Sequence, residues 1–187
     1  MENFKQYLDF IVEIDKMKNI FRRTKLIGID RRENDAEHTF HIALMAVLLR
    51  DFRNGADELK SIKMLLVHDL VEIYAGDTFA YDTIGNLSKK ERELKSAKRL
   101  YSLLPKKIGD ELMDLWIEFE EMSTQESIFA NAMDRLQPII HNLYNNGGTW
   151  NEFNVNLLQL KLRMLPIKLW NEDIYNFILE KAKQYIK

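Results

Sequence analysis

The sequence predicts an all-α fold. Gly and Pro are scarce, 7 and 3 among 187 residues, and apolar residues recur at spacings of three and four, the helical period rather than the strand period. With 46% hydrophobic residues the chain can fill one core, so about eight helices in a single domain over residues 1–187 are expected.

The first helix is read over about residues 3–21, where Phe4, Tyr7, Leu8, Ile11, Ile14 and Ile20 fall on or near one face. A basic loop, RRTKLIGIDRREN, follows it. Asn34 or Asp35 can cap the second helix, AEHTFHIALMAVLLRDF, because a short acceptor side chain satisfies the free N–H groups of a first turn. The third, ELKSIKMLLVHDLVEIY, follows Gly55 and stops at Gly76, a residue that accepts a left-handed conformation. After the long loop AGDTFAYDTIGN, Ser88 and Glu91 have the spacing of a capping box that opens the fourth helix. Pro105 starts a fifth helix, running to about Glu121, and a sixth spans about residues 124–144 before NNGGT breaks the chain. Two more, about residues 150–164 and 172–185, pack on the rest. No repeat, low-complexity tract or linker divides the sequence.

Composition excludes several kinds of chemistry. There is no cysteine, hence no disulfide, thiolate metal site or cysteine nucleophile, and a metal here must use His and carboxylate. A chain this long buries roughly 70% of its unfolded surface, so it needs no structural metal. The net charge of −2 with interspersed signs offers no broad basic field for a nucleic-acid polymer. The amphipathic, acid-bearing N-terminus matches no targeting peptide, and no apolar run reaches membrane-spanning length, so a cytoplasmic protein is expected.

Chemistry-bearing residues cluster in three places. Glu37 and His38 stand at the start of the second helix. His68, Asp69, Glu72 and Asp77 crowd the end of an otherwise apolar one. His68 and Glu72, four apart, share a helical face, and Asp69 is turned about 100° from His68, so one ion at the seam can reach both His68 and Asp69. Asp134 lies among Phe129, Ala132, Met133 and Ile139, where a lone carboxylate is costly unless paired or metal-bound. Singly, each of these is more often a cap or a hydrogen-bonded core residue. The ordered set is what carries information.

That order, with the segments ENDAEH, HDLVEIYAGD and the A-x-D at Asp134, resembles the HD-domain phosphohydrolase superfamily, and within it the 5'-deoxynucleotidase subgroup, over about residues 10–144. The resemblance implies an all-helical, usually homodimeric protein whose divalent ion is held by His38, His68, Asp69 and Asp134. Two imidazoles and two carboxylates suit manganese, cobalt or zinc and leave positions for water and a phosphate oxygen. It also implies an acid/base or water-orienting role for Glu72, a phosphate contact for Arg23, whose guanidinium can grip two oxygens, and a sugar contact for Asp77. The subgroup often has Trp directly after the arginine; Thr24 stands there in this chain, which leaves deoxy over ribo preference open.

The expected activity is hydrolysis of a (deoxy)nucleoside 5'-monophosphate to nucleoside and phosphate. Alternatives are another phosphate ester (a nucleoside triphosphate, cyclic nucleotide or sugar phosphate) or a non-catalytic metal-binding protein. His41 and His141 are read as structural or supporting, and Trp116, Trp150 and Trp170 as core or interface residues.

Overall fold

A computed structural model describes residues 2–82 and 84–186. The amphipathic start forms α1 (Glu2–Ile14), which tightens into a 3-10 turn over Asp15–Asn19 that buries Met17. The helix therefore ends earlier than expected, and the basic loop is a β-hairpin. Ile20 is already extended, at φ −98° and ψ 114°. β1 (Phe21–Lys25) pairs antiparallel with β2 (Arg32–Asn34), placing Phe21 opposite Asn34 and Lys25 opposite Arg32. Leu26 N–H donates to the Arg31 carbonyl (3.0 Å), and Gly28, at φ 71°, makes the reversal that an L side chain resists.

Asn34 does cap α2 (Asp35–Leu48). Its side chain accepts from Glu37 N–H (2.9 Å), and Glu37 returns the favour to Asn34 N–H (3.1 Å), a reciprocal capping box. The third predicted helix is broken. α3 (Glu58–Val67) gives up its regular ladder at His68, tight turns carry the chain over the next residues, and α4 (Glu72–Ala75) is a single turn ended by Gly76 at φ 75°.

The following loop is organised by Arg92, whose guanidinium donates to the Ala75 carbonyl (2.6 Å), Thr78 Oγ1 (2.8 Å) and the Gly85 carbonyl (3.2 Å). α5 (Lys89–Tyr101) begins without the predicted Ser88–Glu91 box. Ser88 Oγ instead accepts from Arg92 Nε (3.2 Å), so it serves the loop and not the helix end.

α6 (Lys106–Glu121) opens after Pro105, and α7 (Gln125–Tyr144) is capped by Thr124. Pro138 inside α7 has no N–H to offer the carbonyl of Asp134, one turn earlier. The single helix expected over residues 150–164 is α8 (Gly148–Glu152) and α9 (Leu157–Arg163), divided at Asn154 (φ 52°) and recapped by Asn156. α10 (Leu165–Trp170) was not expected; Pro166 in its first turn starts it, and α11 (Glu172–Lys183) follows under an Asn171 cap. The helices are therefore more numerous and shorter than the eight anticipated.

α7 is the central post, packed by α2, α3 and α10. One apolar cluster runs from Phe10 of α1 to Ala182 of α11. Trp170 ties the C-terminal part down: its ring N–H donates to the Phe52 carbonyl (2.7 Å), and its own carbonyl accepts from Asn54 (2.7 Å). No helix among the described residues is long and apolar enough to cross a membrane.

Candidate metal centre

The start of α2, the break after α3 and the middle of α7 meet, with β1 of the hairpin packed against them. The capping box at Asn34 fixes the first turn of α2, from which His38 projects inward, fully buried. Where α3 stops, the Leu65 carbonyl accepts from His68 Nδ1 (2.8 Å), so the imidazole turns its Nε2 toward α7. On α7, Asp134 is buried and faces both rings.

The four residues singled out in the sequence are thus brought together. His38 Nε2 is 3.0 Å from Asp134 Oδ1 and 3.8 Å from Asp69 Oδ2. His68 Nε2 is 3.0 Å from Asp69 Oδ2 and 3.8 Å from Asp134 Oδ1. These donors fit a divalent cation. Each imidazole spends its Nδ1–H elsewhere and leaves Nε2 for the cluster. His68 Nε2 is buried without an aligned hydrogen bond even though a carboxylate oxygen lies close by. Two nitrogens and two carboxylate oxygens form a borderline-hard set matched to a first-row divalent ion.

The charges are sharply divided. Burial and the nearby Arg22 cation hold His38 down to about pKa 4, so it is neutral. Burial opposes charge on His68 too, but Asp69 and Asp134 outweigh it and raise the imidazole to about 10. Asp69 and Asp134 would be raised by burial; His68 and Arg22 hold the first, and Arg135 and the histidines the second, below the usual carboxylate range. Glu72 is pushed well above its ordinary value by burial and by Asp69, Asp35 and Asp77. Asp35 rises to about 7 through burial and Asp69. Glu72 Oε2 and Asp35 Oδ2 are both buried without a partner.

Several residues here escaped the sequence reading. Arg22, not Arg23, is the arginine set among the acids: its Nη1 donates to Asp69 Oδ2 (2.7 Å) and lies 3.4 Å from Asp35 Oδ1. Side chains alternate along a strand, so β1 turns Arg22 inward and leaves Arg23 exposed, with its side chain along the wall of the cleft. Reading the segment as a loop hid that signal. Gln137, three residues beyond Asp134 on α7, accepts from His38 Nδ1 (3.1 Å) and donates to Glu33 Oε1 (2.6 Å) and His141 Nε2 (3.1 Å). His141 in turn donates from Nδ1 to the Lys25 carbonyl (3.1 Å). His41 Nδ1 lies 3.3 Å from the Gln137 amide nitrogen. Both histidines thus meet the His38 side of the cluster through Gln137.

In front of the cluster is a cleft. Glu72, Asp77, Arg22, Arg23, Arg135 and Arg163 bring charge to it, and Phe79, Tyr81, Ile139 and Trp150 supply apolar wall. Burial and Asp69 raise the Asp77 carboxyl. Thr24 is buried within the lining. Trp116 and Trp170 belong to the core, whereas Trp150, buried as well, also forms part of the cleft wall.

Comparison with known proteins agrees with this architecture. A crystal structure from Magnetospirillum magnetotacticum MS-1, described as a predicted metal-dependent phosphohydrolase, is 40% identical and superposes with a TM-score of 0.92, covering 98% of this chain and 92% of that one. The mouse 5'-deoxynucleotidase HDDC2 is 33% identical over 113 residues, 60% of this chain and 56% of the relative. The human protein of the same name is 30% identical over 134 residues, 71% of this chain and 65% of the relative. The match thus spans under two thirds of the length of these two curated relatives. Residues 14–167 match the HD domain model, and the chain belongs to the HD domain family.

Proposed function

We propose that this protein is a divalent-metal-dependent phosphohydrolase that converts (deoxy)nucleoside 5'-monophosphates to nucleoside and inorganic phosphate. The observation that carries the reading is the convergence of His38, His68, Asp69 and Asp134 at the floor of a cleft lined with arginine. The names of the curated relatives supply the substrate class.

His38, His68, Asp69 and Asp134 would hold the ion, with manganese, cobalt or zinc suited to the donors. Once bound, the ion supplies neutralisation of phosphoryl charge and acidification of water. Arg22 sits against Asp69, within reach of a phosphoryl group at the ligands, and Arg23 stands at the cleft wall as a further phosphate contact. Glu72, whose carboxyl is pushed well above its ordinary value by burial and by Asp69, is the group that can exchange a proton with water or with the departing nucleoside oxygen. Asp77, beyond Gly76 in the cleft lining, would contact a sugar hydroxyl, and the rings of Phe79, Tyr81 and Trp150 offer apolar surface to a base.

The whole chain is read as one domain acting in the cytoplasm on a small molecule. A homodimer is supported by an apolar stripe on α2, where Phe40 and Leu48 are 70% and 71% exposed and Leu44 lies between them.

The test is a phosphate-release screen of deoxy- and ribonucleoside monophosphates with each of the three metals. Release from a monophosphate, abolished by chelation with the fold intact, is expected. Release from none of them would refute the proposal.

A further inference from the structure

The cleft holds more cation than its floor explains. Arg22 is engaged by Asp69, and Arg135 by Asp134. Arg163, the last residue of α9, reaches the same cleft from the C-terminal part of the chain. Among the described residues it has no carboxylate or carbonyl partner. The charges around it are of both signs: Arg135 and Arg22 oppose its charge, Asp134 and Tyr81 favour it, and Asp77 feels it as well. Burial, then Arg135, lowers its pKa to about 10, which still leaves a full positive charge at neutral pH.

Arg135 and Arg163 line the same cleft and repel each other in a poorly solvated place, where Asp134 is already bonded to Arg135 and Asp77 acts on Arg163 only through space. Among the described residues no hydrogen-bonded carboxylate offsets that cost at Arg163. An anion lying between them would, and a guanidinium fork matches the tetrahedral face of a phosphoryl group, offering two parallel N–H donors. The bland explanation is that Arg163 merely complements the C-terminal end of its helix. A cation with that role belongs in open solvent, and Arg163 is instead drawn in to line the cleft beside Asp134.

We infer that Arg163 is a phosphate-binding residue, acting with Arg135 on the phosphoryl group that lies next to Asp134. The inference rests on the proposed phosphohydrolase reading for its ligand class, and it assigns α9 a direct part in the site.

The experiment is calorimetric titration of inorganic phosphate into the full, manganese-loaded protein, with Arg163→Met and Arg163→Gln as variants. A tenfold or greater loss of phosphate affinity is expected in both, at unchanged manganese affinity, with binding of a nucleoside lacking phosphate unaltered. Steady-state assays should give a matching rise in KM for a nucleoside monophosphate. Arg163→Gln keeps a polar head and serves should the Met variant not fold. Wild-type phosphate affinity in a folded variant, or no phosphate binding by the wild type, would overturn the inference. Loss of phosphate binding in a protein that hydrolyses no nucleotide would support it while refuting the substrate proposed above.

Discussion

Gln137 joins the two polar networks of the molecule. Its carbonyl oxygen takes the His38 Nδ1 proton, and its amide binds Glu33 and His141 on the far side. This fixes the His38 tautomer with Nε2 toward Asp134. Gln137→Leu leaves a buried imidazole N–H and a buried carboxylate unpaired, a loss of about 1–3 kcal/mol. Metal affinity should fall by about 10–100-fold. Chelator competition and denaturant melts read the two effects separately, and wild-type metal affinity in a folded variant would show that Gln137 does not position His38. At this scale the four clustered residues were legible in the sequence because His38, His-Asp at 68–69 and Asp134 form an ordered pattern of residues that are costly to bury. Gln137 and Arg22 were not. A neutral amide in an apolar helix carries no such mark, and which of two adjacent arginines points inward depends on the strand pleat.

The elements that make the site are the ones with interrupted regularity. α3 ends at Val67, so that the Leu65 carbonyl is free to orient His68. A continuous helix would have spent that carbonyl on its own ladder. The apolar period continues through this break, which is why the sequence predicted one helix. The hairpin was missed for the opposite reason: its strands are short and strongly charged, with no apolar alternation to reveal them. Caps were legible where the side chain is free, as at Asn34, but not at Ser88, whose hydroxyl is taken by Arg92. The exposed stripe on α2 belongs here as well, since Phe40, Leu44 and Leu48 follow one helical face away from His38. If that face seats a second copy, Leu48→Glu should halve the mass measured by light scattering and leave the melting temperature of the monomer nearly unchanged. A wild-type protein that is already monomeric, or a variant that stays dimeric, would exclude this face.

Across the whole molecule, stability should depend on pH through acids the fold keeps protonated. Glu93 on α5 is buried against Lys89, at 3.4 Å, and burial is the main cause that raises it from 4.5 to about 7, with Glu120 adding to the effect. Between those two values the folded chain holds a proton that the unfolded chain releases. Stability is therefore lost as pH rises from about 4.5 to about 7 and is level above that. Each such proton contributes a slope of at most about 1.4 kcal/mol per pH unit. Glu33, also raised to about 7 by burial, adds in the same direction. Glu93→Gln should reduce the slope in chelator-stripped protein and make the variant more stable than wild type at pH 8, by order 2–3 kcal/mol. An unchanged slope would mean that Glu93 is ionised in the folded state.

The all-helical class and the three segments that bear the chemistry were legible because periodicity and residue order survive folding into any local geometry. The contribution of α9 was not, because nothing in the sequence near Arg163 says which distant surface it will line.

His38, His68, Asp69 and Asp134 are proposed to hold the cation on which turnover depends. The most direct measurement pairs bound metal, read by elemental analysis, with phosphate release from a deoxynucleoside monophosphate, for wild type and for His38→Gln, His68→Gln, Asp69→Asn and Asp134→Asn. The account predicts that stripped wild-type protein regains release as it regains metal, and that each variant loses both while keeping its helical signal. A folded variant that hydrolyses the substrate at the wild-type rate, or release that persists without metal, would contradict it.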